Sequence, residues 1–259
     1  MRAVFMGKCK RSAALALEWL ADRGVEVAAV VSAEPDALTA PEQRLDLVAQ
    51  RHGLPLVTDG ELYASVEKGD LEDVDVVISF LYWRLIREPL ISLGRLGCLN
   101  FHPAPLPDFR GVGGYNVAIL EGLAEWGVSC HFVDERFDTG DVVAVRRFPI
   151  DPEGETAYSL DVRSQERLLA LFQEVMAIAL GGGKLPRTPQ GEGRYVTREE
   201  FEGLRRIRPG DDVERKVRAF WYPPHPGATV ELGAQELTVV DERLLAELGR
   251  LYRRGGAVP

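Results

Sequence analysis

The sequence predicts an α/β fold, a doubly wound and mostly parallel sheet followed by a small C-terminal α+β appendage. Short apolar runs at residues 3–6, 25–32 and 74–79, the latter two rich in valine, read as buried strands. Stretches with helical apolar spacing separate them, which is the alternation of a parallel sheet. Over residues 184–193, proline, glycine and charge displace all periodicity. This divides a catalytic-sized unit, residues 1–183, from a small tail subdomain, residues 184–259.

In chain order, the strand at 3–6 ends at Gly7. A helix over 11–23 follows through Leu15, Trp19 and Leu20, with Gly24 as its stop. After the strand at 25–32, residues 41–52 read as one helix with Leu45, Val48 and Ala49 on a common face, and 54–57 as a short strand. Past the strand at 74–79, β-prone runs occupy 98–102, 128–133 and 145–150. A long helix spans 156–180, with Leu160, Leu168, Leu171, Phe172, Val175 and Ile178 at core spacing, and Gly181-Gly182-Gly183 ends it. The tail holds a helix around 211–220 and a hairpin from strands at 228–232 and 236–240.

The chain has 259 residues and is 46% apolar, enough for a sizeable core. Its net charge of −9, from 31 basic and 40 acidic residues, disfavours broad attraction to nucleic acid or an anionic membrane. Cys9, Cys98 and Cys130 form no CxxC pair and sit in or near apolar runs, as free thiols of a reducing compartment do. With no apolar run of membrane-spanning length, the expectation is a soluble, cytoplasmic protein. His52, His102, His131 and His225 lack ligand spacing, so no metal is expected. His131, beside Cys130 in a strand, reads as a packed core residue.

The turn after the first strand, Gly7-Lys8-Cys9-Lys10-Arg11-Ser12, has one glycine where a dinucleotide fingerprint has three. Such a basic loop suits either a phosphate or plain solvent. The chemistry concentrates further on. In the run Cys98-Leu99-Asn100-Phe101-His102, stopped by Pro103, Asn100 and His102 share one strand face. The later Asp138-Thr139-Gly140-Asp141 is turn chemistry headed by an acid. An amide, an imidazole and a carboxylate gathered at strand ends can stabilise an oxyanion and move protons without a protein nucleophile. By residue type alone, a turn cap, a satisfied histidine and an ordinary loop account for them as well. Tyr82, Trp83, Arg84, Leu85 and Ile86 follow a strand directly, at the sheet edge where ligands sit. They suit a flat heteroaromatic ligand or a packed helix equally.

Together, Asn-x-His-Pro, the following Leu-Pro and Arg-Gly, and Asp-Thr-Gly-Asp resemble the formyltransferases that use N10-formyltetrahydrofolate, a Rossmann-like family. The likeness is strong from Val74 to Val143 and returns at Arg218-Ala219-Phe220-Trp221-Tyr222-Pro223-Pro224. It implies that Asn100, His102 and Asp138 are the catalytic trio. It also implies that Tyr82, Trp83, Arg84, Leu85 and Ile86 wall the folate pocket and that Asp134 to Asp141 form the loop covering the pterin, which Asp141 closes. The acceptor amine is then the nucleophile, Asn100 and His102 assist the oxyanion, and Asp138 orients His102 and takes up a proton.

The family includes methionyl-tRNA formyltransferases, which are larger and follow Arg-Gly with Ala-Ala-Pro; this chain has Val112-Gly113-Gly114-Tyr115. Its tail is most similar to that of sugar N-formyltransferases. The expected acceptor is therefore a small-molecule amine, foremost a nucleotide-linked amino sugar. Alternatives are tRNA, a hydroxyornithine-type amine, or water in a formyltetrahydrofolate hydrolase. Phe220, Trp221 and Tyr222 pack either on their own domain or in a homodimer contact.

Overall fold

A computed structural model of the chain describes residues 1–36 and 39–253, so the last six residues of the expected tail subdomain lie outside the described residues. Its centre is a six-stranded sheet built from β1 (Arg2–Gly7), β2 (Glu26–Ser32), β3 (Val76–Phe80), β4 (Cys98–His102), β6 (Glu125–Phe132) and β7 (Val142–Pro149). Their spatial order is β2-β1-β3-β4-β6-β7. The first four are mutually parallel. β6 runs antiparallel to β4, and β7 antiparallel to β6, at one side of a doubly wound sheet. The small strands are β5 (Phe109–Gly111), β8 (Arg194–Val196), β9 (Thr229–Leu232) and β10 (Gln235–Thr238).

Helices α1 (Arg11–Ala21), α2 (Leu45–His52), α5 (Gly114–Leu120) and α6 (Ala157–Leu180) accompany one face. There Phe5, Phe80 and Phe101 surround Phe172 of α6, with ring centroids 6.5, 5.6 and 4.9 Å from it. The side-chain period of two puts Val4, Met6, Val77 and Cys98 on the other face, under α3 (Asp59–Lys68) and α4 (Leu90–Leu93). Helices α7 (Arg198–Arg205), α8 (Val213–Ala219) and α9 (Glu242–Arg253) belong to the tail.

Three expectations are corrected. Residues 41–52 are not one helix: a single 3₁₀ turn, Pro41–Gln43, breaks at Arg44, whose extended backbone restarts the chain into α2. Residues 54–57 form no strand, only one bridge between Leu56 and Val30. Helix α3 was not expected, because its apolar spacing is weak and Leu62 is its one buried residue. Its sequence signal is the cap: Thr58 accepts from the Glu61 backbone while the Glu61 carboxylate accepts from the Thr58 N–H.

The segment after α6 runs back over the preceding residues. Thr188 bridges Val142, and β8 pairs with β5. Beyond it, Asn116 donates to the Ala219 carbonyl at 2.7 Å, and the buried Arg218 donates to the Glu155 carbonyl at 2.9 Å. Phe220 and Trp221 are buried within the chain, the first of their two alternatives. Tyr222 reaches Lys10 at 2.6 Å, and Lys10 pairs with Asp161 of α6 at 3.1 Å. Tyr115 adds a bond to the same carboxylate at 3.1 Å. Part of the basic loop therefore turns inward and ties β1, α5, α6 and the tail together.

Among the described residues, no helix is long and apolar enough to cross a membrane. None of them forms a group of three or more His, Cys, Asp or Glu side chains arranged to hold a metal ion.

Candidate active site

The site grows out of strand register. Ser79 of β3 sits opposite Asn100 of β4, and Asn100 sits opposite His131 of β6. The Ser79 hydroxyl donates to Asn100 Oδ1 at 2.7 Å, which turns Nδ2 towards His131 Nε2 at 2.9 Å. His131 Nδ1 lies 2.7 Å from the Phe132 carbonyl. A proton on Nδ1 satisfies that carbonyl and leaves Nε2 to accept from the amide, a tautomer assigned by its hydrogen bonds. His102 is arranged the same way. Its Nε2 donates to the Phe109 carbonyl at 3.0 Å, so Nδ1 faces the site.

Asp138 completes the group. Its Oδ1 is 3.5 Å from His102 Nδ1, 3.6 Å from His131 Nε2 and 3.4 Å from Asn100 Nδ2. Its Oδ2 accepts the Gly111 N–H at 3.1 Å. Burial pushes this carboxyl up, but the His102 ring and the Gly111 N–H outweigh it. The group is held well below the usual carboxylate range. Asp138 also takes a left-handed backbone, φ 57°, which aspartate tolerates better than most residues.

A cleft opens beside these groups. Tyr82, Arg84, Leu85 and Ile86 form one wall, Val133, Arg136 and Phe137 another, with Ser79, Asn100, His131 and Asp138 at its base. The Tyr82 hydroxyl donates to Asp59, and Arg84 reaches the same carboxylate at 3.4 Å. Trp83 stands outside this wall; it is 43% exposed and packs on Tyr82 at 4.8 Å. Asp134 and Asp141 shape the loop from within. Asp134 Oδ1 accepts from the Arg136 N–H at 3.0 Å and the Thr139 hydroxyl at 2.6 Å. The Asp141 carbonyl accepts from Phe132 at 2.8 Å, and its carboxylate lies 3.9 Å from Arg187. A separate groove around Arg11, Leu15, Gln43 and Val162 contains none of these residues.

The structure thus gathers Asn100, His102 and Asp138 and sets four of the five pocket residues on the cleft. It bears out the packing expected of His131 and adds its contacts. That side chain is buried, 2% exposed, yet its Nε2 meets the amide of Asn100 and faces Asp138. Ser79 escaped notice because a serine in a buried strand has no signal until the neighbouring strand is in register. The arrangement offers an amide N–H and an imidazole nitrogen beside an ionised carboxylate, the equipment for polarising a carbonyl and moving an amine proton.

The sequence model of the family described as formyl transferase matches residues 1–176. The chain belongs to that family. This formyltransferase is 33% identical over 242 residues to the methionyl-tRNA formyltransferase of Parvibaculum lavamentivorans, covering 90% of this chain and 76% of that one. It is 34% identical over 162 residues to the GDP-perosamine N-formyltransferase of Brucella melitensis, covering 62% of each. In fold it is similar to the N-formyltransferase of Helicobacter canadensis, solved with folinic acid and dTDP-3-aminofucose. That likeness has a TM-score of 0.73 at 19% identity and covers 90% of this chain and 85% of the other.

Proposed function

We propose that this formyltransferase moves a formyl group from N10-formyltetrahydrofolate to the primary amine of a small acceptor, a nucleotide-linked amino sugar before others. The observation that carries the reaction is the convergence of Asn100, His102 and Asp138 beside one cleft, with Asn100 and Asp138 in its lining and His102 3.5 Å behind Asp138. The cleft suits a pterin in kind: Leu85, Ile86, Val133 and Phe137 offer apolar surface to a flat ring, and the polar groups interspersed with them offer partners to its edge. When bound, the folate supplies the electrophilic formyl carbon and a tetrahydrofolate leaving group.

The residues then have distinct tasks. Ser79 and His131 hold the Asn100 amide so that one N–H is spent on His131 and the other points into the site, 3.4 Å from Asp138. That long contact yields readily to a better acceptor, such as a formyl oxygen gaining charge. A donor of this type lowers the barrier by about 3–4 kcal/mol. His102, with Nε2 committed to Phe109, works through Nδ1. Asp138 stays ionised, steadies a proton on that nitrogen and receives the amine proton directly or through water.

The sugar acceptor is supported by the net charge of −9, a poor match for tRNA, and by the fold likeness to an enzyme solved with an amino sugar nucleotide. A second reading, formylation of methionyl-tRNA, is supported by 33% identity across 90% of the chain. Tetrahydrofolate release measured against a panel of amino sugar nucleotides, charged tRNA and amino acids separates them. Turnover with an amino sugar nucleotide is expected. Turnover confined to tRNA would overturn the sugar assignment, and release equally fast without any amine would make the enzyme a hydrolase.

A further inference from the structure

The turn that carries Asp138 is gripped from outside the catalytic unit. Gln190 lies beyond α6, past the 1–176 span of the family match. Its Nε2 donates to the carbonyl of Asp138 at 3.1 Å and to that of Gly140 at 2.6 Å. Its Oε1 in turn accepts from Arg110, through Nη2 at 2.8 Å and Nε at 3.2 Å. Arg110 also donates to the Gly191 carbonyl at 3.0 Å. The next residue, Gly111, gives its N–H to the Asp138 carboxylate. One amide therefore ties together the backbone of the turn and the strand that holds its side chain.

The turn needs such a tie. Asp138 has φ 57°, a backbone that costs free energy and persists only where its surroundings impose it. Gly140 is pressed so closely on the Phe132 carbonyl that an added Cβ would lie 2.0 Å from it. Gln190 satisfies the carbonyls on both sides of Thr139 and so fixes where the Asp138 carboxylate stands relative to His102. We propose that Gln190 is a positioning residue for formyl transfer, acting only through Asp138 by clamping the 138–140 turn against Arg110. The inference rests on the role proposed for Asp138.

Steady-state kinetics on the full-length enzyme test it. Gln190→Met keeps the length but removes every hydrogen bond. Gln190→Glu keeps the link to Arg110 but sets a carboxylate against two carbonyl oxygens. In both variants kcat is expected to fall at least about tenfold, because small displacements of a catalytic group are costly. KM for the formyl donor should stay within about twofold, since Gln190 does not line the cleft. In an Asp138→Asn background, Gln190→Met should cost less than about twofold more, the non-additivity of residues that act through one another. Unchanged kcat in a folded Gln190 variant overturns the inference. So does an equal loss in both backgrounds, which marks general loosening of the fold. If Asp138→Asn alone keeps full turnover, the proposed mechanism falls and this inference with it. Loss at Asp138 without loss at Gln190 removes the inference alone.

Discussion

Asn100 and His131 face each other across β4 and β6, joined by a 2.9 Å hydrogen bond from an amide nitrogen to an imidazole nitrogen. The bond settles which end of the Asn100 amide reaches the cleft, because Ser79 already holds the oxygen. Removing the imidazole leaves an amide hydrogen unpaired and free to choose a different partner. His131→Phe, which keeps a ring in the buried slot, should lower kcat at least about tenfold. It should also destabilise the fold by about 1–3 kcal/mol, the cost of an unsatisfied buried donor. Urea denaturation beside steady-state kinetics measures both. A variant with normal kcat would show that Asn100 needs no such support.

The trio itself is tested by Asn100→Ala and Asp138→Asn. Asparagine tolerates the left-handed backbone at position 138, so that substitution isolates the lost charge from any lost geometry. Each is expected to reduce turnover at least about a hundredfold, the scale of losing one oxyanion donor or its charged partner. Circular dichroism confirms folding. Near-normal turnover in either folded variant would refute the assignment.

Asp138 also predicts a pH dependence of stability. Its native carboxyl is held below the range it has in the unfolded chain, about pKa 4. The unfolded state therefore binds the proton more readily, and the ionised carboxylate contributes stability above about pH 5. That contribution fades as pH falls below about 4 towards the lowered native value. Urea midpoints of the wild type and Asp138→Asn between pH 6 and 3 should show a gap that holds near pH 5–6 and narrows only below about 4. A gap that stays constant down to about pH 3 would mean that the native Asp138 carboxyl titrates in the ordinary carboxylate range.

How much of this was legible depends on how far the cause lies along the chain. Asn100 and His102 could be paired because strand alternation is local, and Pro103 marks where the strand ends. Asp138 could be picked out because turn residues announce themselves. The buried parallel strands followed from valine-rich runs, whose burial needs no partner to be named. His131 and Ser79 were not legible as site residues: their roles arise from the register of three strands, which no local pattern specifies. Gln190 stands 52 residues from the turn it holds, in a stretch whose composition suggests only a linker. Helix α3 went unseen for the opposite reason, since its cap was plain and its apolar face was not.

The tail is bound to the catalytic unit by a buried charge, and this gives the last prediction. Lys10 and Asp161 form an ion pair at 3.1 Å with side chains only 11% and 7% exposed. Tyr222 bonds to both, and Tyr115 and Gln165 bond to the same carboxylate. Burying such a pair is costly in itself, but deleting one member strands the other charge in a dry site. Lys10→Met should therefore destabilise the protein by about 3–5 kcal/mol. Tyr222→Phe keeps the ion pair and loses only the hydroxyl bonds, so it should cost about 1–3 kcal/mol. In both variants the tail should become more open to limited proteolysis around residues 206–212, while the strands near Asn100 stay protected. Equal stability of Lys10→Met and wild type would show that the pair adds nothing net and that the tail is held by its other contacts, the buried Phe220 and Trp221 and the Asn116 and Arg218 hydrogen bonds.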